Sequence, residues 1–193
     1  MRVLVLFAHP VETSFNAALH RLIVDRLAAR GHEVDDCDLY AEGFDPVMSR
    51  DGRMRYHTVG ANIVGLEEHA RRLAAAEALV LCFPVWNYGF PAILKGYFDR
   101  LFVPGVSFDL DGGAITPRLG HIRKMMAVTS YGGSRLRAVV MGDPPRRIVM
   151  RWLRANIRLG GPAHYLAHYS MNTATDTSRT RFMAKVAARL EAF

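Results

Sequence analysis

Cysteine is scarce in this sequence, with only Cys37 and Cys82 among 193 residues. A disulfide framework is thereby excluded. If the topology argued below holds, the two cysteines sit on strands separated by a third. Two interstrand spacings are about 9–10 Å, beyond the reach of a disulfide, so Cys82 reads as a small core residue. Also missing is any run approaching the roughly 20 apolar residues of a membrane span; the longest, Ala78 to Val85, is far shorter. Met1-Arg2 opens an apolar segment, but His9-Pro10-Val11-Glu12 closes it too early for a secretory signal. A cytoplasmic protein that is not integral to a membrane is expected.

Acidic residues are outnumbered, 18 against 25 Lys and Arg, for a formal charge of +7. No recognition helix, finger or RNA platform accompanies that charge, so no nucleic-acid partner is expected. Arg146, Arg147, Arg151, Arg154 and Arg158 read instead as one solvated basic face, or as a positive field suited to anionic cofactors. The signatures G-x-G-x-x-G and G-x-x-x-x-G-K-[ST] are absent, which removes the dinucleotide-type Rossmann and P-loop readings. His164 and His168 share a strand face at i, i+4, but no acidic or thiol third ligand has telling spacing, so no metal centre is expected. No Ser-His-Asp or Cys-His arrangement can be assigned.

What is present is a repeated alternation of strand and helix. Arg2 to Ala8 is a near-continuous apolar run, the mark of a central parallel strand covered on both faces. Phe15, Ala18, Leu19, Leu22, Ile23 and Leu27 then recur at helical spacing until Gly31. Glu33 to Leu39 is a weaker strand. Residues 41–61 follow without clear periodicity and read as a long loop. Ile63, Leu66, Ala70, Leu73 and Ala74 mark a second helix that feeds the strand beginning at Ala78. Pro91 suits the first turn of a third helix, whose apolar side is Ile93, Leu94, Tyr97, Phe98 and Leu101. Asp111-Gly112-Gly113 marks a small hairpin. Lys124 to Thr129 and Ala163 to Tyr169 are further strands, with helices expected over 144–158 and 176–190. Five β-α units in residues 1–193 predict one doubly wound domain, a five-stranded parallel sheet ordered 2-1-3-4-5 with helices on both faces.

In such a sheet ligands bind beyond the carboxyl ends of the strands, and three of those ends are chemically unusual. After the first strand come His9, Thr13 and Ser14, with Phe15 and Asn16 opening a helix. Thr13 or Ser14 is a natural N-cap, and the helix end offers amides to an anion. After the third strand, Pro84, Val85, Trp86, Asn87, Tyr88, Gly89, Phe90 and Pro91 crowd aromatics where a turn made only for folding would use Gly, Asn, Asp or Ser. After the fourth, Ser130-Tyr131-Gly132-Gly133-Ser134 lets a ligand approach the backbone and frees two amides to donate. A ligand with a phosphate at one end and a flat, hydrogen-bonding ring at the other satisfies all three, and a flavin has that form. Gly132 and Gly133 amides would meet the charge that develops on its reduction, and amides at Trp86 to Tyr88 the hydride-accepting edge.

On these residues the sequence resembles the NAD(P)H:quinone oxidoreductases of the DT-diaphorase type, within the flavodoxin-like fold. The matching pieces are His9 with Thr13-Ser14-Phe15-Asn16, Asp38-Leu39-Tyr40, Phe83-Pro84, the block Pro91 to Arg100, and Gly132-Gly133-Ser134. The variant Pro84-Val85-Trp86-Asn87-Tyr88 also resembles the bacterial quinone- and azo-reducing flavoenzymes. The resemblance spans nearly the whole chain. It implies a flavodoxin-like three-layer sandwich and hydride transfer from NAD(P)H through the flavin to a quinone or similar acceptor. His9, Ser14, Phe15 and Asn16 would surround the flavin phosphates, and Pro84 to Tyr88 would hold the ring edge. Gly132 and Gly133 would take its pyrimidine side. Arg179 matches a family arginine near adenine, which favours FAD, with FMN the alternative. A homodimer is implied as well. The family's Tyr and His proton relay after the glycine pair is replaced here by Arg135 to Met141, leaving Tyr131 as a substitute. Two other readings stay open: a flavin-binding accessory subunit of the kind that serves potassium-efflux channels, and a one-electron carrier, which the basic charge disfavours.

Overall fold

A computed structural model describes residues 1–158 and 160–193. Its centre is a five-stranded parallel sheet built from β1 (Arg2–Phe7), β2 (Glu33–Asp38), β3 (Ala78–Val85), β6 (Lys124–Tyr131) and β7 (Ala163–His168). The spatial order is β2-β1-β3-β6-β7, the predicted doubly wound order once the hairpin strands β4 (Phe108–Asp111) and β5 (Ala114–Pro117) are set apart. That hairpin turns at Gly112 and Gly113, both at positive φ. A two-residue turn whose twist suits the strands requires this.

Burial explains the order. All eight residues of β3 are buried, and β3 is the centre of the sheet. The edge strand β2 is the polar Glu-Val-Asp-Asp-Cys-Asp, with only Cys37 fully buried. On one face Leu4, Leu6, Leu79, Leu81, Phe83 and Met125 pack under α3 (Glu67–Ala75) and α4 (Ala92–Leu101). On the other Val3, Val5, Phe7, Val80, Met126 and Val128 pack under α1 (Phe15–Ala29) and α8 (Asp176–Glu191). Each fully buried side chain of this kind contributes about 1.5–3 kcal/mol. Cys37 and Cys82 are both buried and free, on β2 and β3 with β1 between them.

The structure corrects the sequence reading in several places. Residues 41–61 are not a plain loop: α2 (Arg50–Met54) lies within them, capped by Ser49, whose Oγ accepts from the Gly52 amide at 3.0 Å. Two contacts tie the segment to α4. The Arg100 guanidinium donates to the Asp45 carbonyl, and Gly96 is pressed so closely on Pro46 that a Cβ there would overlap it. Ile63 belongs to a 3-10 turn ahead of α3, because Gly65 at φ +79 breaks the helix between them. Pro91 is the N-cap of α4 rather than its first-turn residue.

The fourth sheet strand, β6, runs on through Ser130 and Tyr131, so the glycine turn is shorter than expected and begins at Gly132. Beyond it lies an unpredicted helix, α5 (Arg135–Val140), capped by Ser134. The helix expected over 144–158 is divided into α6 (Pro144–Arg147), a π-helical stretch Ile148–Leu153 and α7 (Arg154–Asn156). Among the described residues no helix is long and apolar enough to cross a membrane.

Candidate functional site

The carboxyl ends of β1, β3 and β6 lie side by side, and each of their loops touches the other two. His9, after β1, meets Trp86, after β3, edge to face with ring centroids 5.8 Å apart. Asn16, in the first turn of α1, accepts a 2.6 Å hydrogen bond at Oδ1 from Ser130 Oγ on β6. The Tyr88 hydroxyl reaches Gly133: a Cβ added to that glycine would stand 3.4 Å from Tyr88 Oη.

The first loop is shaped by capping. Ser14 Oγ accepts the Ala17 amide at 3.1 Å, which closes the N-terminus of α1. The amides of Phe15 and Asn16, first in the helix, have no carbonyl of their own helix to serve and carry its positive end. Thr13 is exposed beside them, so the cap is Ser14. His9 Nδ1 accepts the Val11 amide at 3.0 Å, so in the neutral ring the proton sits on Nε2. Burial holds the His9 pKa below the usual histidine value, which keeps the ring neutral at pH 7. Asn16 is buried, and its Nδ2 has no partner. An unpaired buried donor costs about 1–3 kcal/mol unless something accepts from it. His168 Nδ1, near Phe15 on the same side of the sheet, is unpartnered as well.

The second loop is a two-residue turn. Trp86 and Gly89 exchange both backbone hydrogen bonds, at 3.2 and 2.8 Å, while Asn87 and Tyr88 adopt φ +49 and +58. Left-handed backbone is tolerable for Asn and strained for Tyr, a bulky residue. The turn leaves the Asn87 and Tyr88 amides outside its own bonds. Pro84 and Val85 are buried beneath it as the end of β3, and Trp86 stands out from it 41 % exposed.

The third loop differs from its expected role at one residue. Tyr131, put forward as a proton source, is 2 % exposed. Its hydroxyl lies 2.5 Å from Asp143 Oδ1, to which it donates, and 2.6 Å from the Tyr165 hydroxyl. Because β6 continues through Tyr131, its side chain alternates onto the helix-covered face and away from the crevice, and its hydroxyl serves Asp143 and Tyr165 instead of a ligand. Burial, the nearby Tyr165 and the bond to Asp143 all push its pKa up, so it stays a neutral phenol.

Sequence reasoning missed a fourth contributor, the turn after β7. Ser170 donates its amide to the Gly133 carbonyl at 2.8 Å, and Asn172 Oδ1 would be 3.2 Å from a Cβ on Gly132. The polar run Ser170-Met171-Asn172 at a strand's carboxyl end was the signal available. Arg179 lies in the first turns of α8, held by Asp176 and by the Ala174 carbonyl. It sits near enough to His168 for its charge, second to burial, to lower the His168 pKa.

Two other features lie outside this junction. A cavity of about 730 Å³ is lined by Phe90, Phe98, Phe102 and Trp152 and lies along α4 rather than over Gly132. Cys37, Glu42 and His69 gather their ligand-type atoms within 4.8 Å. Arg72 Nη1 already engages both Glu42 oxygens at 2.8 Å, and burial pushes the Cys37 thiol pKa up, so the group is a hydrogen-bonded cluster.

A family profile described as flavodoxin-like fold matches residues 1–192. The chain belongs to that family. Among curated relatives it is 36 % identical over 127 residues to the ribosyldihydronicotinamide dehydrogenase-like protein traD of Penicillium crustosum, covering 57 % of this chain and 47 % of that one. It is 33 % identical over 123 residues to the rat NAD(P)H dehydrogenase [quinone] 1, covering 55 % and 45 %. The NAD(P)H oxidoreductase YcaK of Escherichia coli is 32 % identical over 143 residues, covering 73 % and 69 %. The chain thus spans about half the length of the first two relatives. Among solved structures, Smu.1420 of Streptococcus mutans superposes with TM-score 0.85 at 26 % identity over both whole chains. The NAD(P)H:quinone oxidoreductase of Methanothermobacter marburgensis gives 0.83 at 25 %, covering 98 % and 95 %.

The residues of the junction fit a flavin on their own chemistry. An unpaired Asn16 donor and free helix amides suit phosphate or ribityl oxygens. The amides at Asn87 and Tyr88 and the glycine pair suit the edges of a flat heterocycle.

Proposed function

We propose that the protein is a flavin-dependent NAD(P)H oxidoreductase that delivers two electrons to a quinone or similar acceptor. The observation that supports it most is the mutual contact of the three loops, His9 with Trp86, Asn16 with Ser130 and Tyr88 with Gly133. A bound flavin would accept hydride from reduced nicotinamide and supply it to the acceptor. Ser14, Phe15 and Asn16 would bind its phosphate end, and Trp86, Asn87 and Tyr88 would hold the ring edge. Gly132 and Gly133 would donate amides to the ring. Trp86 offers an exposed flat face that orients a nicotinamide or quinone ring and keeps water away from it.

FAD is the form we propose, with Arg179 on the adenine half. A homodimer completes the reading. The test is direct: the purified protein is expected to show a flavin spectrum when loaded and to oxidise NADPH or NADH with menadione as acceptor. The extracted cofactor run on a column separates FAD from FMN, and light scattering gives the subunit number. A protein that takes up neither flavin removes the proposal.

A further inference from the structure

The turn at 86–89 contains more strain than a connection needs. Glycine at the second left-handed position would make the same turn freely, yet Tyr88 occupies it at φ +58, directly after Asn87 at +49. Such a conformation costs on the order of 1–3 kcal/mol and persists where surrounding structure holds it. What holds it here is packing of the Tyr88 ring against the core below and the placement of its hydroxyl over the glycine pair. The other phenol on these strand ends, Tyr131, is committed to Asp143 and Tyr165 and faces away. His9 is neutral and lies on the Trp86 side of the crevice. Of the two phenols, Tyr88 is therefore the one whose hydroxyl stands at the junction, beside Gly133.

We propose that Tyr88 is a catalytic residue, its hydroxyl donating the proton that a carbonyl acceptor needs as it is reduced. This rests on the reading of the site as a quinone-reducing one. Reduction of a quinone to the hydroquinone takes two electrons and two protons. Hydride drawn from NAD(P)H brings both electrons and one proton. The second proton comes from Tyr88: its O–H bond breaks as the acceptor's O–H bond forms. The electron pair stays on Oη as phenolate, and water then reprotonates it. Arg137 borders the same glycine, its Cδ 3.4 Å from the point a Gly133 Cβ would occupy.

The test uses Tyr88→Phe, which keeps the ring, the turn and the packing and removes only the hydroxyl. Reduced, flavin-loaded wild type and variant are mixed anaerobically with menadione, which takes up protons, and with ferricyanide, which takes electrons alone. The menadione-to-ferricyanide rate ratio is expected to fall about 10²-fold or more, the general-acid contribution being about 10²–10⁴-fold when proton transfer dominates. The solvent deuterium isotope effect on the menadione step is expected to disappear. The midpoint potential of the bound flavin, measured by spectroelectrochemistry, is expected to move by less than about 30 mV, the equivalent of 1.4 kcal/mol for a two-electron couple. An unchanged ratio overturns this proposal and leaves the proposed function standing. So does a larger shift in potential, which would place the hydroxyl on the prosthetic group instead of the acceptor. A wild type that binds no flavin removes both.

Discussion

At the level of single residues, Asn16 is the most informative side chain in the crevice. Its Oδ1 is used by Ser130 and its Nδ2 by nothing among the described residues. Replacing Ser130 with Ala would leave both ends of a buried amide unpaired, at a cost of about 1–3 kcal/mol. The measurable outcome is a lower midpoint in urea together with weaker flavin binding, read by fluorescence quenching. Gly133→Ala makes the complementary case. The new methyl meets Tyr88 Oη and Arg137 Cδ at 3.4 Å, ordinary contact distance, and Gly133 has no positive φ. Stability is expected to stay within about 0.5 kcal/mol, while flavin affinity falls because the methyl stands on the edge offered to the ring. Calorimetry on parent and variant separates the two effects. Residue type was readable here without a structure: Trp86 stands where a turn made only for folding would use Gly, Asn, Asp or Ser, and Ser14 where a helix takes its cap. The direction a side chain faces was not. Tyr131 and Tyr88 are both tyrosines at strand ends. Whether β6 stopped before or after Ser130 decided which of them faces the crevice, and strand ends are fixed by pairing with distant chain.

Among the elements, the segment 41–61 shows where sequence pattern gives out. Its apolar residues have no period because the segment is anchored by backbone and proline contacts instead of an apolar stripe. Gly96 is the anchor on the other side. Within the run Ala-Ile-Leu-Lys-Gly-Tyr it looks like a weak point in a helix, yet its missing side chain lets α4 close on Pro46. Gly96→Ala would gain helix propensity of about 1 kcal/mol and lose more through forced separation from Pro46, since overpacking typically costs about 1–3 kcal/mol. A net fall in melting temperature is expected, with faster proteolysis within 41–61 as the local sign. The divided helix over 144–156 has a different cause. Its apolar positions fit a single helix, and the wider π-helical turn goes with packing of Trp152 on Phe98 and Phe102 and burial of Val149 and Leu153.

For the molecule as a whole, the alternation of five strands with helices gave the doubly wound sheet and its order, and the continuous apolar runs at Arg2, Ala78 and Lys124 marked its central strands, because strands buried on both faces read that way. Acid sensitivity also belongs to this scale. His9, His32, His69, His164 and His168 all have pKa values lowered from 6.5, burial being the largest cause in each. Each binds its proton more weakly folded than unfolded, so stability is fully present above pH 6.5 and drains away as pH falls below it. A melting temperature that drops steadily from pH 7 to pH 5 is expected, and a flat profile over that range would contradict it.

The bond between Asn16 and Ser130 joins positions 114 residues apart. A prosthetic group lodged there would act as a clasp between early and late portions of the polypeptide, strands that pair only through β3. Stripping it out would first loosen the alignment of β1 against β6. Amide exchange at the upper ends of those two strands is where the loss would be seen, well before the helices on either face begin to fray.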